Sequence, residues 1–189
     1  MTTSVSPTLP ADPRRARAPQ GDLTVLKRVY EEHGPWIRAT LARLAGPGID
    51  PDDLLHEVFL VALRRTDVFV DNPEPRAWLY GVAVRVAQAA RRRARVRRFF
   101  GLESAEDIAD ALTPEHAVHA SDAKRRVYAA LNPLSEKKRT VFILFELEGL
   151  SGEEIAQIVG CPLKTVWTRL HHARREFQRN LQRGAGHAA

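Results

Sequence analysis

The sequence predicts an all-α chain: two small helical domains joined by a flexible acidic linker, the C-terminal one a helix-turn-helix. Three observations predict it. Apolar residues recur at three- and four-residue spacing from Asp22 to Phe99 and again from Asp122 to Gln182, with no persuasive alternating run and no internal repeat. Between these stretches, Gly101 to Ser121 carries Glu103, Glu106, Asp107, Asp110 and Glu115 and little that builds a core. From Ser151 to Leu170, cap, break and restart signals follow one another as two closely linked helices require. The expected division is a disordered tail over 1–20, a first domain over 22–99, a linker over 100–121, a second domain over 122–183 and a tail over 184–189.

Composition narrows the class. A chain of 189 residues, 44% hydrophobic, is long enough for one or two cored domains, and a net charge of +6 suits an anionic partner. Cys161 is the single cysteine, so no intrachain disulfide forms, which fits a reducing cytoplasm. No apolar run approaches the roughly 18–20 residues of a membrane span, and the N-terminus lacks a signal-peptide core. A cytoplasmic protein without membrane insertion is expected.

Residues 1–20 are rich in Pro, Thr, Ser, Ala and Arg and read as a disordered tail. Leu26, Val29 or Tyr30, Ile37, Leu41 and Leu44 then form an apolar stripe. Gly34-Pro35 interrupts it, which predicts two helices or one sharp kink. After the Gly46-Pro47-Gly48 break, Asp50 caps a helix, Pro51 occupies its first turn, and Asp52 and Asp53 meet the positive end of its dipole. Leu54, Leu55, Val58, Phe59, Ala62 and Leu63 face inward; Asp52, Asp53, His56, Glu57 and Arg64 stay outside. Thr66 to Pro75 reads as a loop.

A long helix is expected from Arg76 to Phe99. Trp78, Leu79, Val82, Ala83 and Val86 make its first half apolar. From Arg85 on come Arg91, Arg92, Arg93, Arg95, Arg97 and Arg98, with no acid among them. Like charges at helical neighbour positions repel. A phosphate backbone supplies the missing counter-charge, and releasing its condensed cations is favourable. The alternative is a solvated basic helix end that suits the dipole. Helices resume over Asp122–Leu131; Asn132-Pro133 breaks them; Ser135 caps the next, with Val141, Phe142, Leu144, Phe145 and Leu147 inside and Gly149 at its end.

The helix-turn-helix is the richest stretch. Ser151 and Glu154 have capping-box spacing. Ile155, Ala156 and Val159 form one face, and Gly160 supplies the left-handed stop. Pro162 starts the next helix, which Val166 and Leu170 pin to the first and Ala173, Phe177 and Leu181 continue. Lys164, Thr165, Trp167, Thr168, Arg169 and His171 point outward, as a helix entering a major groove requires. No phosphate-cradling glycine loop, zinc-spaced cysteine pair or nucleophile–base constellation appears, so no catalytic activity, metal or cofactor is expected.

Two further stretches resemble a known family. Asp50-Pro51-Asp52-Asp53-Leu54-Leu55-His56-Glu57-Val58-Phe59-Leu60 resembles the region-two signature of bacterial sigma factors. Pro75-Arg76-Ala77-Trp78-Leu79-Tyr80-Gly81-Val82-Ala83 with the arginine run is similar to that family's next helix, and Leu150 to Arg175 to its region four. Order and spacing resemble the extracytoplasmic-function sigma factors, which keep only these two domains. The resemblance implies promoter-specific transcription initiation with core RNA polymerase. It implies that Asp52, Asp53, His56 and Glu57 dock on the polymerase clamp, and that Arg76, Arg85, Gln88, Arg91 and Arg92 contact the minus-ten element. It implies that Lys164, Thr165, Trp167, Thr168, Arg169 and Arg174 contact the minus-thirty-five element. A dedicated anti-sigma factor is a further implied partner, and the linker would thread toward the polymerase active site. His56, Val86 and Trp167 depart from the family's usual Gln, Asn and Lys. Trp167 implies a distinct minus-thirty-five preference or packing on the sugar–phosphate backbone; Trp78, by helical spacing, reads as core. The competing readings are a stand-alone helix-turn-helix regulator, which would need an N-terminal sensor domain, and a helical interaction module with an incidental basic face.

Overall fold

A computed structural model of the chain describes residues 23–70, 75–101 and 122–185. The expected N-terminal tail, the linker beyond Gly101 and residues 186–189 lie outside the described residues. Within them every regular element is helical: α1 (Leu23–Ala45), α2 (Pro51–Leu63), α3 (Asp67–Val70), α4 (Arg76–Phe99), α5 (Asp122–Leu131), α6 (Glu136–Phe142) continuing into a π-helical turn (Ile143–Leu147), α7 (Gly152–Val159) and α8 (Leu163–Ala185).

The break expected at Gly34-Pro35 is absent: α1 runs unbroken through Pro35. Val29, His33, Ile37, Thr40, Leu41 and Leu44 are buried in one phase on both sides of it. Pro35 and Glu31, whose carbonyl loses its helical donor, are both exposed, so water can serve that carbonyl. Packing of a continuous apolar stripe outweighs the local propensity.

α2 begins as its sequence requires, with Asp50 Oδ1 accepting from the Asp52 amide at 2.8 Å and Pro51 in the first turn. The segment read as loop from Thr66 starts with a helical turn, α3, because Phe69 is buried and packs edge-on to Trp78 at 5.3 Å. Residues 71–74 lie outside the described residues. Ser135 takes the N-cap backbone conformation of α6, but its side chain makes no capping bond. Leu147, expected inside, is 41% exposed. The π turn is the reason: the Glu148 amide bonds the Ile143 carbonyl, five residues back, and this wider turn rotates the last residues out of the α-helical phase.

One core runs through both helical groups. It joins Ile37, Leu41 and Leu79 to Leu131, Val141, Ile155 and Leu170 without interruption. α1, α2 and α4 pack together, α8 packs on α5, α6 and α7, and α4 lies against α7. The two expected domains are therefore closed on each other.

Candidate nucleic-acid interface

Three surfaces carry the candidate residues. On α2, Asp52 is held by a two-pronged pair with Arg38, at 2.6 and 2.8 Å, which keeps its carboxyl below the usual aspartate range. Glu57 accepts from Arg93 at 2.8 Å. Asp53 and His56 are exposed, and Leu60, one turn on, is 55% exposed. Sequence reasoning missed Leu60: it lies beside the apolar stripe, but on the outer face with Asp53 and His56.

On α4, buried Leu79, Val82, Ala83, Val86, Ala87, Ala90 and Ala94 fix the register. Arg76 stacks over Trp36, 5.4 Å from the ring centroid. Trp78 is half-buried, as its spacing implies. Arg85 is exposed and lines a crevice with Ala77, Trp78, Gly81, Gln157 and Ile158. Gln88 Nε2 donates to Thr140 Oγ1 at 3.1 Å. Arg91 Nε donates to Glu136 at 2.9 Å, its Nη1 to the Ala45 carbonyl at 2.8 Å, and Arg95 reaches the same Glu136 oxygen at 3.0 Å. Arg92 is exposed. The arginine run is thus not wholly without acids: Glu57 and Glu136, distant in sequence, supply them.

In the helix-turn-helix, Ser151 Oγ accepts from the Glu154 amide at 3.2 Å, and Glu154 accepts from the Ser151 amide at 2.7 Å. That amide holds the Glu154 carboxyl below the usual glutamate range. Gly160 closes α7 in the left-handed region, at φ 63° and ψ 48°. Pro162 sits just before α8 rather than in it, and its carbonyl accepts from the Thr165 amide at 2.8 Å. Val166, Leu170 and Ala173 are buried, which turns Lys164, Thr168, His171 and Arg175 outward together. Arg175 belongs to this face by spacing and was missed. Thr165 and Arg169 are half-buried at its edge, with Arg169 Nη1 donating to Cys161 Sγ at 3.4 Å. Arg174 lies on the flank, bonded to Glu146 at 2.6 Å and stacked over Phe145.

Trp167 is the clearest departure from the expected outward face. Although 43% exposed, its indole wedges against the first residue of α7: a Cβ built on Gly152 would stand 2.6 Å from its Cζ2. Phe145 meets it edge-on at 5.6 Å. Trp167 therefore sets how the two helices cross. Gly152 is the residue that makes room, and its place just after the capping Ser151 is the signal that could have shown it.

Comparisons with known proteins agree with these surfaces. The Sigma-70 region 2 family matches residues 29–99, and the Sigma-70, region 4 family matches residues 124–177. An ECF RNA polymerase sigma-E factor of Haemophilus influenzae is 30% identical over 175 residues, covering 88% of this chain and 92% of that protein. The ECF sigma factor SigL of Mycobacterium tuberculosis is 30% identical over 170 residues, covering 89% and 96%. The chain belongs to the extracytoplasmic-function sigma factors. It is a sigma factor for promoter-specific transcription initiation.

Solved structures share its fold. The sigma factor RpoE of Bartonella quintana, in complex with the anti-sigma factor NepR, superposes with a TM-score of 0.63 at 24% identity, covering 82% of this chain and 96% of that one. CnrH, in complex with the cytosolic domain of CnrY, gives 0.62 at 22%, covering 88% and 94%. Among the described residues of this sigma factor, no helix is long and apolar enough to cross a membrane, and no group of three His, Cys, Asp or Glu could hold a metal ion.

Four polar residues central to the structure were also missed. Arg139, 1% exposed, donates to the Arg43 carbonyl at 2.8 Å, the Leu44 carbonyl at 3.2 Å and Asn132 Oδ1 at 3.3 Å. Burial, with Arg91 beside it, pushes its pKa down to about 10. Glu148 accepts from Arg43 at 2.8 Å, Thr40 at 3.0 Å and Tyr80 at 3.4 Å. Burial and then Glu148 raise the Tyr80 hydroxyl. Glu136 and Thr140 complete the set. Arg139 offered one signal: it lies three residues before Phe142 on the inward stripe.

Proposed function

We propose that this sigma factor docks on core RNA polymerase through the outer face of α2. Asp53, His56 and Leu60 make the contact, and Asp52 and Glu57 shape that face through Arg38 and Arg93. Arg76, Arg85, Gln88, Arg91 and Arg92 on α4 engage the minus-ten element. The outer face of α8 enters the minus-thirty-five major groove, about 12 Å wide. There Lys164, Thr165, Thr168 and Arg169 reach the DNA, Arg174 flanks them, and Trp167 acts by holding the helix. Residues 22–99 and 122–183 form the two working domains, and 100–121 links them. The chain works in the cytoplasm with promoter DNA and polymerase, under an anti-sigma factor of its own. One solved relative of the same fold is bound to such a factor.

The observation that carries this reading is the outer face of α8, where Lys164, Thr168, His171 and Arg175 stand together on a helix pinned by Val166, Leu170 and Ala173. Reconstitution with core polymerase tests it. Transcripts should start at a defined promoter only when the protein is added, and should fall when the minus-thirty-five sequence is scrambled. Specific duplex binding without polymerase, with no initiation on any template, would instead make it a stand-alone regulator.

A further inference from the structure

We propose that the closed packing of the two helical groups is an autoinhibited resting state, in which Glu136 stands in for promoter phosphate and Arg139 and Glu148 latch the halves together. The proposal rests on the sigma-factor reading of α4 and α8. Two residues proposed to touch the minus-ten element are already bonded across the interface: Gln88 to Thr140, and Arg91 to Glu136. One Glu136 oxygen receives two guanidinium groups, from Arg91 and Arg95, at 2.9 and 3.0 Å. A carboxylate held this way by two arginines occupies the place that a phosphate oxygen takes in a DNA complex.

The latch is polar and complementary. The last carbonyls of α1 have no helical partner of their own. Arg139 takes those of Arg43 and Leu44, Arg91 takes that of Ala45, and the Tyr128 hydroxyl reaches that of Ala42 at 3.3 Å. Across the interface, Glu148, its side chain 7% exposed, is held by Arg43, Thr40 and Tyr80.

Geometry makes opening obligatory. Elements named for positions minus ten and minus thirty-five are about 25 base pairs apart, roughly 85 Å at ~3.4 Å per step. In the closed chain α4 touches α7, which carries α8, and Gly81 lies 4.0 Å (measured from a built Cβ) from the Ile158 carbonyl. The readers cannot reach both elements from there. Twenty residues separate Gly101 from Asp122, enough for a separation of up to about 70 Å when extended. Docking on polymerase is the event that separates them.

Cross-linking tests the latch. Ala77→Cys and Gln157→Cys, in a Cys161→Ser background, place thiols on opposite walls of the α4–α7 crevice, at positions outside the proposed contacts. A short reducible bis-maleimide should join them in the free full-length protein. The joined protein should lose at least tenfold in promoter-dependent initiation with core polymerase, and reduction should restore it. No joining, or full initiation while joined, overturns the proposal. Glu136→Gln gives a second readout without polymerase. Checked for folding by circular dichroism, it should bind single-stranded minus-ten DNA at least fivefold more tightly than the parent, and an unchanged affinity also overturns the proposal. Should no variant, nor the parent, initiate on any promoter, the sigma reading falls, while the joining yield and the Glu136→Gln affinity still decide the latch.

Discussion

Replacing Arg139 removes the most deeply buried charge in the protein and tests whether its bonds repay its burial. The fall of its pKa from 12.5 to about 10 corresponds to roughly 3 kcal/mol opposing the charged form at neutral pH. Three hydrogen bonds from a charged donor offset this at about 1.5–3 kcal/mol each. An apolar substitute often rescues a buried ion pair, because it removes both charges. Here the main acceptors are the Arg43 and Leu44 carbonyls, which no side-chain substitution removes. Arg139→Ala should therefore leave them without donors and cost about 3–5 kcal/mol. In urea, with a slope near ~2 kcal/mol per molar, the midpoint should fall by about 2 M. Arg139→Met, which restores volume but no donor, should recover only a minor part. A shift below about 0.5 M for Arg139→Ala, or a gain in stability for Arg139→Met, would refute the carbonyl-capping argument.

Gly152→Ala should destabilise the helix-turn-helix by about 1–3 kcal/mol through overlap with Trp167, and pairing it with Trp167→Ala should cost less than the sum; additive thermal shifts would mean the two do not meet. Ser151→Ala should cost about 1 kcal/mol in a melting experiment. The Glu154 carboxyl is depressed by the Ser151 amide. Its stabilisation is therefore complete above the unfolded glutamate pKa and lost as pH falls through the folded value. Glu154→Gln should flatten that acid limb, and an unaltered limb would count against the pair. Asp53→Arg should weaken capture of core polymerase at least tenfold while leaving the unfolding midpoint close to the parent's; equal capture would move the docking face elsewhere. Glu136→Gln should steepen the salt dependence of DNA binding by the free protein by about one ion, read from the log–log slope of affinity against salt.

Local signals made the helices legible and long-range partners did not. The boundaries of α4 and α5 follow from Pro75, the Phe99–Gly101 end and Asn132-Pro133, all written within a few residues. The capping box at Ser151 and the left-handed Gly160 are likewise local. Pro35 misled because the phase of Val29, Ile37 and Leu41 across it carries more burial energy than one lost hydrogen bond. The arginines of α4 looked unpaired because Glu57 and Glu136 lie 36 and 45 residues away from Arg93 and Arg91. The outward set on α8 was readable from its period, but the Trp167 side chain was not. Its orientation depends on the empty space at Gly152, which only the crossing of α7 and α8 creates. The role of Glu148 depends on the π turn, which no single residue announces.

The chemistry of the interface explains why closure and DNA binding can coexist in one sequence. Between Arg91 and Glu136 the side chains are 14% and 21% exposed, so the pair is shielded yet reachable by water. When DNA replaces Glu136, the phosphate gives up its condensed cation, but the freed carboxylate draws one from solution. Net ion release is smaller than the count of phosphate contacts, and the free protein binds DNA less tightly than its arginines alone would allow. Arg139 behaves in the same way: water can serve the carbonyls of α1 once the halves part, and the guanidinium regains its hydration. An interface of exchangeable partners separates without stranding buried groups, whereas an apolar seam would expose surface at every opening. The same arginines can therefore hold the chain shut in isolation and hold promoter DNA once polymerase has drawn the halves apart.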